Sequence, residues 1–535
     1  MSIGLGRCGR DSWTRKRCCR IAERLRSARR GGKKSLAVRR RSARRGLGCV
    51  SVMVASSSCH GGRLGLRTGG GGVRGRSAPR STHCARVSAR PEQQVLKRAD
   101  LVEYISQGCR PKEEWRIGTE HEKFAFRLHD RKRADYADIQ HMLNKLCADF
   151  SWAPIMERDN IIGAKLDGQS VTLEPGGQLE LSGAPLRTLT ETCAETQSHL
   201  HQMKTIAAEK GIVFLGLGFD PTSTFEECPM MPKARYDIMK AYMPTRGTLG
   251  HDMMFRSCTI QVNLDYSSEP DMVRKARVSL ALQPVATALF ANSPIKEGKL
   301  NGYQSYRRRV WDDVDPDRCG YLPWIFEDGF GFEKYVDYAL TVPMYFVYRN
   351  GRYVDVAGQS FGDFMKGNLS ALPGEVATMQ DWEDHLTTIF PEIRLKRFLE
   401  MRGADGGPWN MICALPAFWV GLLYDDQALQ EAEDLVSSWT AMDRLHMQEN
   451  VARDGLKMEC AGRAGERTTM QELAKEVLRI SEGGLRRRGE DEEGFLEKLH
   501  AIADKGTNQA EELESKFTKL WRGDVDPIFV DQFSI

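Results

Sequence analysis

Two glutamates stand two residues apart inside a run of aromatic and aliphatic residues, RIGTEHEKFAF at 116–126. Because strand side chains alternate between faces, Glu120 and Glu122 point to the same side as Phe124 and Phe126. A charge buried there without compensation is strongly unfavourable, so the two carboxylates need water, a cation or an ionic partner. The spacing therefore indicates either a solvated strand face or a cation-binding one.

The same alternation recurs in three further segments, at 173–183, 257–266 and 396–408. In each of them acids, amides or an arginine occupy alternate positions, which places them on one face of a strand. An ordinary strand with one face in water gives the same pattern, and for any single segment that interpretation stays open. The polar positions in these segments are Glu174, Gln178, Glu180, Thr259, Gln261, Asn263, Asp265, Glu400 and Arg402.

The composition of these faces favours a metal site. Most of the polar positions are Glu, Gln, Asn or Asp, and several adjoin aromatic residues or glycine. Sites made only of oxygen ligands suit hard cations such as Mg²⁺ or Mn²⁺, which usually bind phosphate oxygens as well. Arg235, Arg256 and Arg402 would then serve anionic substrate groups, because the guanidinium is a fixed fork of donors. The sequence thus predicts metal-dependent phosphate chemistry.

The common nucleotide and zinc motifs do not explain this pattern. His121-Glu122 begins like the HExxH of zinc proteases, but Ala125 stands where the second histidine belongs. The chain has no GxxxxGK[ST], and the glycine-rich segment 403–408 has no GxGxxG after a strand. If the protein uses ATP, it does so without these loops.

Helices and short strands alternate in the part of the chain that must position these residues. Asn350-Gly351, between two alternating runs, is a strong hairpin signal. Beyond about residue 425 the chain is polar and helical, and no linker divides the chain after residue 110. We therefore predict an α+β fold with a mainly antiparallel sheet and a single catalytic domain at 91–535. The predicted helices are 94–107, 134–149, 189–210 and 271–291, and the predicted strands lie in 165–183, 211–219, 257–266 and 342–358.

Residues 1–90 have a different composition. They hold 24 of the 77 lysines and arginines but only two of the 72 acidic residues. A segment so rich in Arg, Ser and Gly cannot bury a core, so we expect disorder. It is typical of an organelle transit peptide cleaved between about residues 50 and 90, with the plastid favoured over the mitochondrion. A basic arm that binds nucleic acid is the alternative, but Trp13 is the only aromatic residue before Tyr104, and we expect no nucleic-acid partner.

Cysteine usage and hydropathy exclude other classes. Eight of the 14 cysteines lie beyond residue 90, and no CxxC is present, so neither a zinc ribbon nor a thioredoxin motif is available. The longest apolar stretch, 414–424, is far shorter than the roughly 20 residues that span a bilayer. No membrane association is expected.

Six segments closely resemble plant-type glutamate–cysteine ligases, and the likeness extends from about residue 94 to about residue 530. The resemblance implies a glutamine-synthetase-like fold, in which a curved, mainly antiparallel sheet with flanking helices and a helical C-terminal section binds ATP and Mg²⁺. It also implies the first step of glutathione synthesis, the ATP-dependent ligation of the glutamate γ-carboxylate to cysteine through γ-glutamyl phosphate. The segments are 116–126, 173–183, 231–244, 252–269, 390–409 and 413–426.

The same resemblance implies roles for individual residues. Arg402 is placed to neutralise the transferred phosphate, with Lys396 assisting. For Arg256 a salt bridge stays open as the alternative, and for Tyr345 an ordinary core position does. The implied metal ligands are Glu120, Glu122, Glu174, Glu180, Gln261 and Glu400; the implied substrate contacts are Arg235, Arg256, Met254, Asn263 and Tyr345.

Regulation is implied only in part. Plant members carry two regulatory disulfides, and Cys193 and Cys413 match the positions of one of them, although two free thiols remain the alternative. Val356 and Ala371 occupy the positions of the other pair, so that bridge cannot form here. Feedback inhibition by glutathione is expected, and the protein is expected to be a monomer or a homodimer.

Two other functions stay open at this point. One is a sister ligase of the same fold that uses a different amine acceptor, because a small acceptor pocket discriminates by only a few kcal/mol. The other is an inactive scaffold protein. The presence of every expected acid, together with Arg402, speaks against the scaffold.

Overall fold

A computed structural model of the protein describes residues 95–531, so the transit peptide predicted at 1–90 lies outside the described residues. The α-helices are α1 Arg98–Ser106, α2 Tyr136–Phe150, α3 Leu189–Ala208, α4 Ala234–Tyr242, α5 Gly250–Arg256, α6 Glu269–Phe290, α7 Tyr306–Trp311, α8 Phe332–Thr341, α9 Phe361–Met365, α10 Met379–Thr387, α11 Trp409–Leu423, α12 Asp426–Val436, α13 Ala441–Asp454, α14 Met470–Arg488, α15 Glu497–Lys505 and α16 Gln509–Ser515. The strands are β1 Ile117–Arg127, β2 Ala153–Glu157, β3 Asn160–Leu166, β4 Gln169–Leu173, β5 Leu179–Ser182, β6 Ile212–Leu215, β7 Thr259–Leu264, β8 Ile295–Lys296, β9 Lys299–Leu300, β10 Cys319–Gly320, β11 Phe346–Arg349, β12 Arg352–Asp355, β13 Phe390–Pro391, β14 Ile393–Leu395, β15 Leu399–Asp405, β16 Glu459–Ala461 and β17 Arg467–Thr469.

The four predicted helices correspond to α1, α2, α3 and α6, and N-cap side chains mark the starts of α2, α3 and α6. At the start of α3 the Thr188 hydroxyl accepts from the amide of Glu191, whose carboxylate accepts from the Thr188 amide in return. This reciprocal capping satisfies two amides that a helix start otherwise leaves unpaired. Ser268 caps α6 in a similar way by accepting from the amide of Asp271. Local chemistry thus fixes where these helices begin.

A large antiparallel sheet organises the described chain and confirms the predicted fold class. Eight strands follow the order β14-β15-β7-β1-β5-β4-β3-β2, and β6 pairs with the far end of β1. Strand β1 is central, since it pairs with β7 and β5 along its first half and with β6 along its second half. The glutamates of the opening motif therefore lie in the middle of the sheet.

The register of these strands gathers the polar side chains on one face. Glu120 lies opposite Gln261 across β1 and β7, and Glu122 lies opposite Glu180 across β1 and β5. The alternate residues of β7, such as Val262, are buried in the core, where helix α11 packs against the strand. One face of the sheet therefore forms the core and the other forms the polar wall of a cavity.

Strand β15 carries an irregularity where it passes β7. Met401 pairs with Val262 and Ala404 pairs with Ile260, so that Arg402 and Gly403 together stand opposite the single residue Gln261. Such a bulge re-aims side chains locally. A Cβ at 403 would lie 2.1 Å from the side-chain nitrogen Nε2 of Gln283 on α6, so glycine at 403 leaves room for that side chain.

The hairpin and the helical C-terminal section are also confirmed. Asn350 and Gly351 have positive φ angles of 51° and 76°, which is the geometry of the tight hairpin turn between β11 and β12. Helices α11–α16 account for most of the chain beyond residue 409. Among the helices within 95–531, none is both long and apolar enough to cross a bilayer.

Candidate active site

The polar face of the sheet forms one wall of a cavity of about 320 Å³. Helices α4 and α5 contribute to its rim, and Arg307 and Trp311 of α7 lie on its lining. Most residues that the sequence singled out meet here. Those lining the cavity are Glu120, Glu122, Glu174, Glu180, Gln261, Lys396, Arg402, Arg235 and Met254.

Three carboxyl groups of this wall resist ionisation. Removal from bulk water, followed by repulsion from Glu400 and Glu180, raises the pKa of Glu120 to about 7. Burial, followed by the nearby Glu174 and Glu180, raises the pKa of Glu122 well above its ordinary value. Burial and Glu174 also raise the pKa of Glu180. Each group is thus held beside other acids with too little positive charge nearby.

The carboxylate and amide oxygens of this wall suit divalent cations that are also coordinated by a bound substrate. No three His, Cys, Asp or Glu side chains converge on one point anywhere in 95–531. Mg²⁺ typically takes only one or two carboxylates and completes its shell with waters and substrate phosphates, so pairs of acids suffice. Glu120, Glu122, Glu174 and Glu180 have the chemistry for such sites, and Gln261 adds an amide oxygen on the same wall. Their role as metal ligands remains a prediction.

Glu400 differs from the other acids because cations surround it. Its carboxylate accepts two hydrogen bonds from Arg394, at 2.8 and 2.7 Å, and lies 3.3 Å from Lys396 and in contact with Arg402. Burial opposes ionisation, but these three cations outweigh it and lower the pKa of Glu400. The structure therefore favours a role for Glu400 in holding the cations over its predicted role as a metal ligand.

Two amides hold charged groups of this wall in place. Asn263 lies behind the lining, where its side-chain amide donates to a carboxylate oxygen of Glu120 at 2.7 Å. The side-chain oxygen of Gln261 accepts from the guanidinium of Arg402. Asn263 therefore supports a carboxylate, whereas sequence reasoning expected it to line the substrate pocket.

Besides Asn263, two further predicted substrate contacts lie away from the cavity lining. Arg256 is buried at the end of α5, where it donates to Asp252 at 2.9 Å and to Glu297 at 2.7 Å. Tyr345 is buried under the guanidinium of Arg318, 3.8 Å from its ring centre. Both residues take the structural alternative that the sequence left open, a salt bridge and a core position. Asp252 and Arg256 are one turn apart on a helix, which explains why they pair.

Arg235 on α4 and Met254 on α5 do line the cavity. The guanidinium of Arg235 lies 5.3 Å from the ring centre of Tyr236. Burial opposes its charge, but Tyr236 and Glu174 raise its pKa. Its Nε is buried without a protein partner, so it can donate to a bound anionic group.

The chain is also similar in sequence to a known protein family. Residues 116–531 match the family described as glutamate-cysteine ligase family 2 (GCS2). The chain belongs to this family.

Several curated relatives support the assignment to the glutamate–cysteine ligase family. Glutamate–cysteine ligase B, chloroplastic, of Oryza sativa subsp. japonica is 56% identical over 434 residues, covering 81% of this chain and 86% of the relative. The chloroplastic glutamate–cysteine ligase of Nicotiana tabacum is 55% identical over 448 residues, covering 84% of each chain. The crystal structure of the Francisella tularensis glutamate–cysteine ligase in complex with AMP superposes with a TM-score of 0.50 at 11% identity, over 78% of this chain and 89% of that one. That last similarity supports the fold alone.

Two arginines of this family member were missed by sequence reasoning. Arg394 binds Glu400, and Arg307 lies beside Arg402, donating to its backbone carbonyl at 3.1 Å. The Nε of Arg307 is buried without a protein partner, and burial lowers the pKa of its guanidinium. Signals for both were present: Arg394 is two residues from Lys396, and Arg307 starts a run of three arginines at 307–309.

The paired cysteines expected from the family are neighbours in the structure. Cys193 on α3 and Cys413 on α11 are buried, and both are thiols. Burial, followed by a hydrogen bond with Cys413, raises the pKa of Cys193. A thiol so poorly ionised reacts slowly with oxidants. Their pairing as a disulfide remains a prediction.

Proposed function

We propose that the protein catalyses the ATP-dependent ligation of the γ-carboxylate of L-glutamate to L-cysteine, giving γ-glutamylcysteine. The observation that carries this proposal is the cavity of a glutamate–cysteine ligase family member that is lined by both acids and arginines. Mg²⁺ would be held by Glu120, Glu122, Glu174 and Glu180, and when bound it would neutralise phosphate charge.

The cationic side of the cavity has the chemistry to stabilise phosphoryl transfer. In this reaction the γ-carboxylate of glutamate attacks the γ-phosphorus of ATP, ADP leaves, and γ-glutamyl phosphate forms. Arg402 and Arg307 bear fixed positive charge where negative charge accumulates, and Glu400 holds Arg402 in place. The amine of cysteine then attacks the acyl carbon, phosphate leaves, and the amide forms.

The part of the cavity around Arg235 and Met254 suits the amino acids. Arg235 offers an unpaired donor to an α-carboxylate, and Met254 contributes apolar surface beside it. Holding both amino acids against the phosphate converts a bimolecular step into a nearly unimolecular one. Lys396 lies between Glu400 and the cavity, where burial lowers its pKa and its charge helps to neutralise phosphate.

The compartment and the regulation belong to the same proposal. The relatives in rice and tobacco are named chloroplastic, which supports import into the plastid and fits the basic residues 1–90. We further propose that glutathione inhibits the enzyme by feedback, that it acts as a monomer or a homodimer, and that oxidation joins Cys193 to Cys413.

A single assay tests the reaction. The release of ADP by the full chain is followed with Mg²⁺, ATP, glutamate and cysteine, each omitted in turn. Release that requires both amino acids supports the ligase. Glutamate-dependent release that is indifferent to cysteine indicates a sister ligase with another acceptor, and no release indicates an inactive scaffold.

The same assay with and without dithiothreitol tests the cysteine pair. A fall in activity on reduction that is absent from Cys193→Ser supports a regulatory disulfide. Mass mapping of the oxidised protein under non-reducing conditions gives an independent answer, because two free thiols there contradict the pairing.

A further inference from the structure

A buried arginine covers the aromatic end of the strand that carries Glu120 and Glu122. The guanidinium of Arg133 lies 4.8 Å from the ring centre of Phe124 and 5.6 Å from that of Phe126, two residues on the same strand face as the acids. The side chain of Arg133 is only 1% exposed. A guanidinium stacked on rings keeps its in-plane donors free for hydrogen bonds. The acid-bearing face of β1 therefore continues into a buried cationic group and not into solvent.

The donors of Arg133 reach three segments that are far apart in the chain. Its Nη1 donates to the carboxylate of Asp220 at 2.8 Å and to the backbone carbonyl of Phe255 at 3.3 Å. Its Nη2 donates to the backbone carbonyl of Gly176 at 2.6 Å. Asp220 is itself fixed, because its other carboxylate oxygen accepts from two backbone amides of the turn that follows it. The guanidinium fork thus joins three segments at one point.

Two of these segments carry side chains of the catalytic cavity. Gly176 lies in the turn between β4 and β5, two residues after Glu174, and Phe255 follows Met254 in the last turn of α5. Glu174 is a predicted metal ligand and Met254 a predicted substrate contact, and both line the cavity. Arg133 lies behind this lining, so it can influence bound ligands only through the two segments that it holds.

The turn and the end of α5 also contact each other directly. The side-chain nitrogen of Gln178 donates to the carbonyl of Met254 at 3.2 Å and to that of Ser257 at 2.9 Å. A Cβ at Gly176 would lie 2.4 Å from the carbonyl oxygen of Phe255, so glycine permits this close backbone approach. Carbonyls in the last turn of a helix lack helical partners, and here side chains supply the donors. The turn and the helix end therefore form one hydrogen-bonded unit.

We propose that Arg133 is a positioning residue that couples metal binding to glutamate binding by holding the turn that carries Glu174 against the end of α5. Ordering of Glu174 around a cation then also orders Met254 for the amino acid, and the reverse holds when glutamate binds first. Such coupling is reciprocal, so each ligand raises the affinity of the other by the same factor. This assignment rests on the proposed ligase function, because it presumes that a divalent cation and glutamate share the cavity.

The test compares Arg133→Lys with the wild-type full chain. Lysine keeps a cation beside Asp220, but its single nitrogen cannot replace the planar fork that also serves Gly176 and Phe255. Binding of Mn²⁺ is followed by electron paramagnetic resonance with and without glutamate. We expect glutamate to tighten Mn²⁺ binding about tenfold in the wild type and about twofold or less in the variant. Equal coupling in the two proteins would overturn the proposal.

Two further variants separate positioning from a loss of stability. Arg274→Lys makes the same change at an ion pair with Glu433 between α6 and α12, outside the cavity lining, and should leave the coupling unchanged. Asp220→Asn leaves the charge of Arg133 unpaired but keeps its two carbonyl acceptors, so it should lower Tm and retain most of the coupling. If the coupling instead falls in step with Tm across all the variants, the role of Arg133 is purely structural and the proposal fails.

Steady-state kinetics gives a second readout. Raising Mg²⁺ should lower the KM for glutamate about tenfold in the wild type but about twofold or less in Arg133→Lys, while kcat at saturation changes by less than about threefold. A smaller folded fraction would have the opposite signature, a lower kcat at an unchanged KM. That result for Arg133→Lys would contradict positioning.

The outcomes also separate this proposal from the proposed function. If ADP release requires both amino acids but Mn²⁺ and glutamate bind independently in the wild type, the coupling is wrong and the ligase stands. If the wild type neither binds Mn²⁺ nor releases ADP from ATP, both proposals fail.

Discussion

Glu120 and Glu400 lie on strands that flank β7 on either side, yet their carboxyl groups have opposite ionisation behaviour. Burial and neighbouring acids raise the pKa of Glu120 to about 7. Glu400 is more deeply buried, but Arg394, Lys396 and Arg402 lower its pKa. The sign of the surrounding charge, more than the depth of burial, therefore separates the two groups.

This contrast divides the site into two halves. The half around Glu120, Glu122 and Glu180 has negative charge that the protein does not neutralise, so it suits added cations. The half around Glu400 is neutralised internally and presents arginines to the cavity, so it suits anions. A reaction that brings metal ions and phosphates together needs both halves.

The largest effect on activity is expected in the acidic half, around Glu120, Glu122 and Glu180. Glu122→Gln keeps the shape of the side chain but removes its charge, so we expect kcat/KM to fall by at least about 100-fold. Thermal stability should be unchanged or higher, because repulsion from Glu174 and Glu180 is relieved. Glu497→Gln, an exposed acid on α15, is the control and should retain activity. A Glu122→Gln enzyme with the wild-type rate would contradict the metal site.

In the cationic half, around Glu400, a substitution should mainly lower the free energy of unfolding. Arg394→Met leaves the carboxylate of Glu400 buried with its best partner gone, which costs about 3 kcal/mol in the free energy of unfolding. Urea denaturation measures this loss. The double variant Arg394→Met/Glu400→Leu should lose less than the sum of the losses of the two single variants, because the carboxylate that Arg394 paired with is then absent, although Lys396 and Arg402 lose their partner. Losses that simply add would show that the pair is not coupled.

The pH dependence of stability should separate the halves further. The raised pKa of Glu120 means that this carboxyl group binds more protons in the metal-free folded protein than in the unfolded chain between about pH 4.5 and pH 7. The contribution of Glu120 to stability therefore falls as pH rises through this window, by at most about 2 kcal/mol after screening by cavity water. Glu120→Gln should lose that part of the slope in urea titrations with EDTA. Identical slopes in both proteins would refute the assignment.

The sequence predicted the acidic wall well because alternation in a strand is a local signal. Glu120 and Glu122 had to share a face whatever the register, and Gln261 had to share one with Asn263. Which strands would be neighbours depends on contacts far apart in the chain, so the pairing of Glu122 with Glu180 was visible only in the structure. The wall was predictable, but its register was not.

The cationic half was harder to predict, because arginines and lysines are common on ordinary surfaces. Arg394 lies in the three-residue strand β14 and Arg307 in the short helix α7, and neither gives a clear periodic signal. Arg256 was expected to bind substrate, but the helix α5 places it one turn from Asp252. Long cationic side chains reach their partners through rotamers that sequence periodicity does not specify.

The smallest expected effect concerns Asn263, a side-chain amide that offsets repulsion in the acidic half. Asn263 donates to Glu120 at 2.7 Å and thereby favours its ionised form. Asn263→Ala should cost about 1 kcal/mol and raise the pKa of Glu120 further, by less than about one unit. The acid limb of the kcat/KM profile then moves to higher pH, while the rate above pH 8 changes little.

A matched variant shows whether this shift is specific to Glu120. Thr172→Val removes a similar hydrogen bond, at 3.0 Å, from Glu180 instead. If Asn263 acts through Glu120, the two variants should differ in the size of the shift, because each carboxyl group has its own neighbours. If Asn263→Ala instead raises the KM for an amino acid and leaves the pH profile in place, Asn263 contacts substrate, as the family resemblance implied.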